Sequence, residues 1–172
     1  IVESPLTYSI SYTESVRLGR NLPIHFYVFD DELPFLEAVM HFAVAKNKKK
    51  IMVFSPSHAK VIDAEKQMRA ALSKYGDGMS FEIFNVIHND SKKRKSREAA
   101  FEREDTPNDI EIFNACQIGR FGLDNHLVDL VVPNFDPSDG KIAAAAQINQ
   151  MGSRVRFESW RDEASFCCSD RI

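Results

Sequence analysis

The stretch that decides the fold is Ile110–Asp139, IEIFNACQIGRFGLDNHLVDLVVPNFDPSD. It contains two short apolar runs, Ile110–Ala115 and Leu127–Val132, which are rich in β-branched residues and bounded by turn signals. Runs of this kind predict buried strands of a parallel sheet. The loop between them carries glycines and an acidic residue. In a parallel α/β sheet, such loops line the ligand crevice at the carboxyl ends of the strands.

An alanine-rich segment follows and predicts a long helix that ends in QINQMGSRVRF. This ending contains Gln150, Arg154 and Arg156. Arginine is well suited to bind phosphate, because its planar fork donates paired hydrogen bonds and does not lose its charge. We therefore expect the loop glycines, the carboxylate and the arginines to gather at one edge of the sheet.

Outside this stretch, aromatic and β-branched runs alternate with segments of helical periodicity. The predicted strands are Pro23–Phe29, Lys49–Ser55 and Phe81–Ile87, and the predicted helices are about Ala59–Lys74, about Ser91–Glu104 and one capped by Asp30 or Asp31 with Glu32 and Pro34 in its first turn. Phe157, Trp160 and Phe166 in the tail suit a last strand that covers the sheet edge. The alternation predicts an α/β fold, a doubly wound and mostly parallel sheet with helices on both faces.

The composition is that of an ordinary globular protein. The chain has 172 residues, of which 44% are hydrophobic and 27% charged, so it is long enough to bury a core. Its net charge of −3 does not indicate a nucleic-acid partner. Phosphate binding therefore depends on local clusters, and the two basic ones are Lys46–Lys50 and Lys92–Lys95. Each is equally well explained as a solvated turn.

Three cysteines, two of them adjacent at Cys167 and Cys168, give no disulfide framework and no metal-ligand spacing. We therefore expect no metal site and a reducing, intracellular compartment, cytoplasmic or nuclear. The absence of an 18-residue apolar run predicts no membrane segment. The chain opens without a methionine, which favours a fragment of a larger protein.

Several short motifs resemble motifs V and VI of superfamily 2 helicases, the nucleic-acid-dependent NTPases of the DEAD-box, DExH and poxvirus-NTPase kind. The motif V matches are Ala115-Cys116, Gly122-Leu123-Asp124, Val128–Val132 and Asn134–Pro137. The motif VI match, aligned on Gly152, includes Arg156, and Arg154 lies one place after the usual first arginine.

The strand, loop and helix around Ser55 resemble motif IV of the same superfamily, where a serine-rich loop binds a nucleic-acid phosphate. The resemblance implies that three turns contact the nucleic-acid backbone: Ser55, Pro56 and Ser57; His88, Asn89 and Asp90; and Ala115, Cys116 and Gln117. A helix N-terminus attracts an anion there through its free N–H groups and its dipole. The serines have an alternative role, which is only to cap the helix.

The resemblance further implies a RecA-like helicase C-terminal domain over residues 23–172, with 1–22 as a linker or leading strand. It implies nucleotide contacts at Gly122, Asp124, Gln150 and Gly152, with Asp124 toward the ribose, and catalytic roles for Arg154 and Arg156. The chain contains no phosphate loop and no acidic box. ATP with Mg²⁺ would then be bound mainly by a partner, the N-terminal RecA-like domain of the same protein. The other expected partner is single-stranded nucleic acid, with RNA favoured over DNA.

Two other functions stay open. Cys116 stands at the motif V threonine position, Phe121 at a common arginine position and Ser153 at the first motif VI arginine position. These departures favour a degenerate helicase-like module that binds nucleic acid or protein without hydrolysis. A flavodoxin-like or Rossmann-type domain for a small ligand is the third possibility, and it is weakened because no strand is followed by GxGxxG.

Overall fold

The protein is described by a computed structural model that covers residues 14, 17–18, 24–29, 32–87, 91–116, 127–134 and 164–169. Within these residues, six strands form one sheet in the order β1-β6-β5-β2-β4-β3. The strands are β1 (Ile24–Phe29), β2 (Lys50–Ser55), β3 (Phe81–Val86), β4 (Ile110–Cys116), β5 (Leu130–Pro133) and β6 (Ala164–Ser169). All the pairings between them are parallel.

Helices lie on both faces of this sheet. The described helices are α1 (Phe35–Ala45), α2 (His58–Tyr75) and α3 (Ser91–Phe101). Helices α1 and α2 pack together on one face, over Ile51 and Val53 of β2. Helix α3 lies on the other face, where the ring of Phe101 contacts those of Phe84 and Phe113 at centroid distances of 6.2 and 5.3 Å. The predicted α/β fold with a doubly wound parallel sheet is therefore confirmed.

The central strands are buried on both sides, which explains their near-continuous apolar runs. Every residue of β2, β4 and β5 is buried. Side chains alternate between the faces along a strand. Ile112 of β4 consequently faces α1 and α2, while its neighbour Phe113 faces α3. None of the helices in the described ranges is long and apolar enough to cross a membrane.

Several predicted boundaries shift. The first helix begins at Phe35 with Pro34 at its N-cap, and no side chain bonds the cap, so the predicted cap at Asp30 or Asp31 is wrong. The physical reason is the proline, because the residue before a proline is biased away from helical conformation. The fifth strand is Leu130–Pro133 instead of Leu127–Val132.

The tail strand is the other correction. The sequence suggested a strand that covers the sheet edge, but β6 lies inside the sheet, between β1 and β5. It pairs with both neighbours, Phe166 lying opposite Phe26 on one side and Val131 on the other. The tail therefore joins β1 to the rest of the sheet. The alanine-rich segment and residues 157 and 160 lie outside the described residues.

Candidate nucleic-acid interface

The carboxyl ends of strands β2, β4 and β3 lie side by side. In the strand register, Ser55 of β2 is opposite Cys116 of β4, and Ala115 is opposite Val86 of β3. Neighbouring strands are about 4.8 Å apart. The fold thus brings together the ends of the three strands that lead into the segments predicted to contact nucleic acid; residues 88–90 and 117 of those segments lie outside the described residues. We call this end of the sheet, where the strands terminate, the carboxyl edge.

Pro56 and Ser57 connect β2 to helix α2 at the carboxyl edge. Pro56 is half-buried and Ser57 is exposed. Ser57 is the N-cap of α2, and its Oγ accepts a hydrogen bond from the backbone N–H of Lys60 at 3.3 Å. The first turn of α2 contains no acidic residue, so the positive end of the helix dipole is not neutralised there by its own side chains.

Ser55 occupies a different environment from Ser57. It is completely buried, and its Oγ accepts a hydrogen bond from Nδ2 of Asn134 at 3.1 Å. The backbone N–H of Asn134 also donates to the carbonyl of Phe54 at 2.7 Å. The expected direct contact between the Ser55 side chain and nucleic acid is therefore not supported by its burial, because the hydroxyl faces the protein interior.

Ala115 and Cys116 end strand β4 and are both buried, with Cys116 only 1% exposed. Burial raises the pKa of the Cys116 thiol. A neutral thiol is a weak hydrogen-bond donor and a poor nucleophile. At this position the side chain of Cys116 fills space, and any contact with a ligand would come from the backbone.

Two paired amide side chains, the buried Asn114 and the half-buried Asn85, lie next to the carboxyl edge. Asn114 of β4 donates from Nδ2 to the carbonyl of Val61 in α2 and to Oδ1 of Asn85 in β3, each at 2.8 Å. These bonds fix the first turns of α2 relative to both strands. The sequence prediction did not include Asn114, although a signal was present: asparagine is depleted in strands, so its place inside an apolar run indicates a specific partner.

Basic residues of α3 also lie near this edge, because α3 begins at Ser91, shortly after β3 ends. Lys93 and Lys95 are exposed, whereas Arg94 is half-buried and bonds Glu98 at 2.7 Å. Basic side chains are unusual here, because the N-terminal turn of a helix favours acidic ones.

The cluster Lys46–Lys50 lies at the opposite end of the sheet. Lys50 is the first residue of β2 and is buried, and its Nζ lies 2.9 Å from Oε2 of Glu111. The side chain of Lys50 is therefore bound inside the protein. Because Lys50 begins β2 and Ser57 follows its end, the cluster is separated from Ser57 by the length of a strand, about 20 Å.

The remaining candidate residues lie outside the described part of the chain. They are His88, Asn89, Asp90, Gln117, Gly122, Asp124, Gln150, Gly152, Arg154 and Arg156. Their predicted roles stay predictions. Among the residues that the structure describes, no group of three or more His, Cys, Asp or Glu side chains is arranged to hold a metal ion.

Known structures share this fold. No family model and no curated protein sequence matches the chain. The Escherichia coli DEAH/RHA helicase HrpB superposes with a TM-score of 0.57 at 13% identity, over 90% of this chain and 20% of that one. Domain 2 of the DEAD-box helicase Mss116p, bound to an RNA duplex, superposes with a TM-score of 0.54 at 14% identity, over 87% of this chain and 55% of that one. At these identities the likeness shows the fold alone, which this chain shares with these two helicase structures.

Proposed function

We propose that this chain is the second motor domain of a nucleic-acid-dependent NTPase or helicase. The observation that carries the proposal is the alignment of the carboxyl ends of β2, β3 and β4, in a fold shared with helicase domains. This is the arrangement that the motif matches at Ser55–Ser57 and Ala115–Cys116 imply. In this role the chain binds the nucleic-acid backbone and contributes to an ATP site at an interdomain cleft.

The nucleic-acid part of the proposal depends on the exposed end of the loop after β2. Ser57 and the N–H groups of the first turn of α2 on one face, and Lys93 and Lys95 of α3 on the other, present hydrogen-bond donors and positive charge at the carboxyl edge. Such groups bind phosphates without reading sequence. Binding is expected to be weak and to decrease with salt. RNA is favoured as the ligand, which the RNA-bound Mss116p domain supports.

The ATP part of the proposal rests on the motif matches. Asp124 would contact the ribose, Gly122, Gln150 and Gly152 would line the nucleotide, and Arg154 or Arg156 would contact the γ-phosphate. An arginine at that place stabilises charge that develops during phosphoryl transfer and is worth about 10³–10⁵ in rate. Mg²⁺ and most of the phosphate contacts would come from the N-terminal RecA-like domain, so the isolated chain is expected to be inactive.

The decisive experiment replaces the arginines in the full-length protein. Arg154→Ala or Arg156→Ala should lower RNA-stimulated ATP turnover by about 100-fold or more, because a transition-state charge partner is lost. Arg103→Ala, which removes an exposed arginine after α3, is the matched control and should leave turnover unchanged. If both motif VI variants keep normal turnover and stability, the motor assignment is wrong.

A binding module without hydrolysis is the second candidate function. The neutral, buried thiol of Cys116 at the motif V threonine position favours it, because a thiol is a weaker hydrogen-bonding group than a hydroxyl. Full-length protein that binds RNA but hydrolyses no ATP would support this alternative.

Calorimetry on the isolated chain tests the third possibility, a small-ligand domain. A motor domain should bind ATP with at best about millimolar affinity, since it contributes only a small part of the site. Micromolar binding would favour a small-ligand domain.

A further inference from the structure

We infer that the outer edge of β3 binds an extended segment of a partner protein, which pairs with β3 and adds a strand to the sheet. The segment carries one basic and one acidic side chain on the face that it turns toward α3. The inference goes beyond the proposed motor function and does not depend on it. It assigns a protein-binding surface to the side of β3 that lies away from β4.

One side of the β3 backbone has no strand beside it among the described residues, because β3 ends the sheet and pairs only with β4. The carbonyl of Ser80 accepts from the N–H of Ile110 at 3.1 Å, so the backbone groups of Ser80 point toward β4. This direction alternates along a strand, and the N–H and C=O groups of Phe81, Ile83 and Asn85 therefore point away from β4. An edge of this kind is a template for another strand.

A groove of about 440 Å³ runs along this edge, between α2 and α3. Glu65 of α2 lines one wall, Ser96 and Arg97 of α3 line the other, and β3 forms the floor. The side chain of Arg97 donates to the carbonyl of Asn85, which agrees with the outward direction of that carbonyl. A charged side chain at this place protects part of the edge in the free protein. An extended peptide suits the groove, because its side chains alternate between the two walls while its backbone bonds β3.

The charges of the groove identify the kind of segment. The ring of Phe84 contacts that of Phe101 in α3, and Glu82 shares this face of the sheet because it lies two residues earlier. On the α3 side, the groove therefore has an exposed carboxylate where β3 begins and the guanidinium of Arg97 where β3 ends. A basic side chain of the added strand complements the first, and an acidic one complements the second.

A second copy of this chain fits the edge less well than a partner segment. Antiparallel pairing of two β3 edges would place the α3 helices of both copies side by side on one face of the joined sheet. Helix α3 has the sequence SKKRKSREAAF, with five basic residues and one acidic residue, so the two copies would repel each other. An extended segment without a helix on that face avoids this repulsion.

The test is the binding of two fluorescent peptides to the full-length protein, measured by anisotropy. Both peptides alternate valine and threonine and carry lysine and aspartate four positions apart. They differ only in the order of the two charges, because an added strand can run in either direction. At least one should bind with a Kd below about 1 mM. Methylation of the peptide N–H groups that face β3 should weaken this binding about 10-fold or more, since at least two net hydrogen bonds are lost.

A charge exchange locates the peptide on β3. Glu82→Lys replaces an attraction by a repulsion and should weaken the lysine-bearing peptide about 3- to 10-fold. A peptide with glutamate in place of that lysine should bind this variant more tightly than it binds the wild type. The matched control is Asp63→Lys, which makes the same charge change at an exposed residue of α2 outside the groove and should leave the Kd unchanged.

Amide hydrogen exchange tests the edge directly. The N–H of Ile83 should exchange rapidly in the protein alone and about 10-fold more slowly with saturating peptide. Slow exchange of this N–H in the protein alone would show that the chain itself already covers the edge, and this would overturn the inference. It would equally be overturned by no binding of either peptide at about 1 mM, or by binding that neither methylation nor Glu82→Lys weakens. None of these results bears on ATP turnover, so the motor assignment is judged separately.

Discussion

The two edges of the sheet are built from different chemistry. At the amino edge, where the strands begin, carboxylates bind backbone N–H groups and a lysine across neighbouring strands. Asp129 accepts from the N–H groups of Lys49 and Lys50 at 2.9 and 3.1 Å, and Glu111 pairs with the side chain of Lys50. At the carboxyl edge, the strands end in the hydroxyl of Ser55, the amides of Asn85 and Asn114 and the thiol of Cys116, with lysines near the start of α3.

The difference separates two lysine clusters that look alike in the sequence. Lys46–Lys50 contributes a buried ion pair to the amino edge, whereas Lys92–Lys95 opens a helix beside the carboxyl edge. A basic run can therefore be part of the buried structure or lie on the surface, and the position of its strand or helix decides between them. The contacts of the amino edge hold neighbouring strands together, and the carboxyl edge is the surface for which we propose nucleic-acid binding.

The largest expected effect is at Lys50. Its Nζ contacts Glu111, donates to the carbonyls of Phe101 and Arg103, and lies 4.9 Å from the centroid of the Phe101 ring. Lys50→Met would leave the carboxylate of Glu111 buried without its partner, which should lower the free energy of unfolding by about 3–5 kcal/mol. Equilibrium urea unfolding measures this loss.

The control for this variant is Lys49→Met, which removes an exposed lysine next to it and should change stability by less than about 0.5 kcal/mol. The double variant Lys50→Met/Glu111→Leu should recover much of the loss, because it removes both buried charges. A loss below about 1 kcal/mol for Lys50→Met would show that the amino edge does not depend on this pair.

The second prediction compares the lysine clusters in RNA binding. The paired variant Lys93→Ala/Lys95→Ala should reduce the dependence of log K on log salt by about 1.4, since each phosphate contact to a single strand contributes about 0.7. The matched pair Lys46→Ala/Lys49→Ala removes the same charge from the amino edge and should leave this slope nearly unchanged. Equal slopes for both variants would mean that only net charge matters, and the distinction between the edges would fail.

Ser57 gives the third prediction, which separates capping from phosphate binding. Ser57→Asp keeps a good N-cap and adds a negative charge at the positive end of α2, so stability should be unchanged or slightly higher. The same charge repels a phosphate, and RNA affinity should fall about 10-fold, or about 1.4 kcal/mol. Ser57→Ala should instead cost about 1 kcal/mol of stability. Unchanged RNA affinity in Ser57→Asp would mean that Ser57 only caps the helix and does not contact a phosphate.

The sequence was sufficient for the described strands and helices in their order along the chain, because the relevant signals are local, but it did not place β6 inside the sheet. Buried parallel strands need continuous apolar runs, and IEIFNAC in β4 is one of them. The sequence also predicted where β2 and β4 end, and therefore that Ser55 and Cys116 lie at the same edge. Turn positions were less secure, since the proline at position 34 restricts the residue before it and delays the first helix.

Contacts between distant residues could not be obtained in this way. The partner of Lys50 lies 61 positions away in the sequence, and Asn134 lies 79 positions from Ser55. One long-range signal was present, however. The strands FEIFNV and IEIFNA repeat one pattern and pair in register, so that Asn85 meets Asn114. An in-register repeat of this kind predicts a ladder of like side chains on adjacent strands.

Asp109 provides the smallest expected effect and tests the amino edge by pH. Its Oδ2 accepts from both the backbone N–H and the Oγ of Ser80, each at 2.8 Å, which joins the segments that lead into β3 and β4. These hydrogen bonds hold the pKa of the Asp109 carboxyl below its ordinary value. A carboxyl with a lowered folded-state pKa stabilises the protein above its unfolded-state pKa of about 3.9, and this contribution is lost as the pH falls through the folded-state value. Asp109→Asn should therefore be less stable than the wild type at pH 7, and the difference should shrink as the pH is lowered below about 4.

The control for the loss of one charge is Asp77→Asn, which changes an exposed aspartate in the turn after α2. A stability difference for Asp109→Asn that stays constant from pH 7 to pH 2 would mean that the charge of the carboxylate does not stabilise the amino edge. The shape of the side chain alone would then account for its contribution.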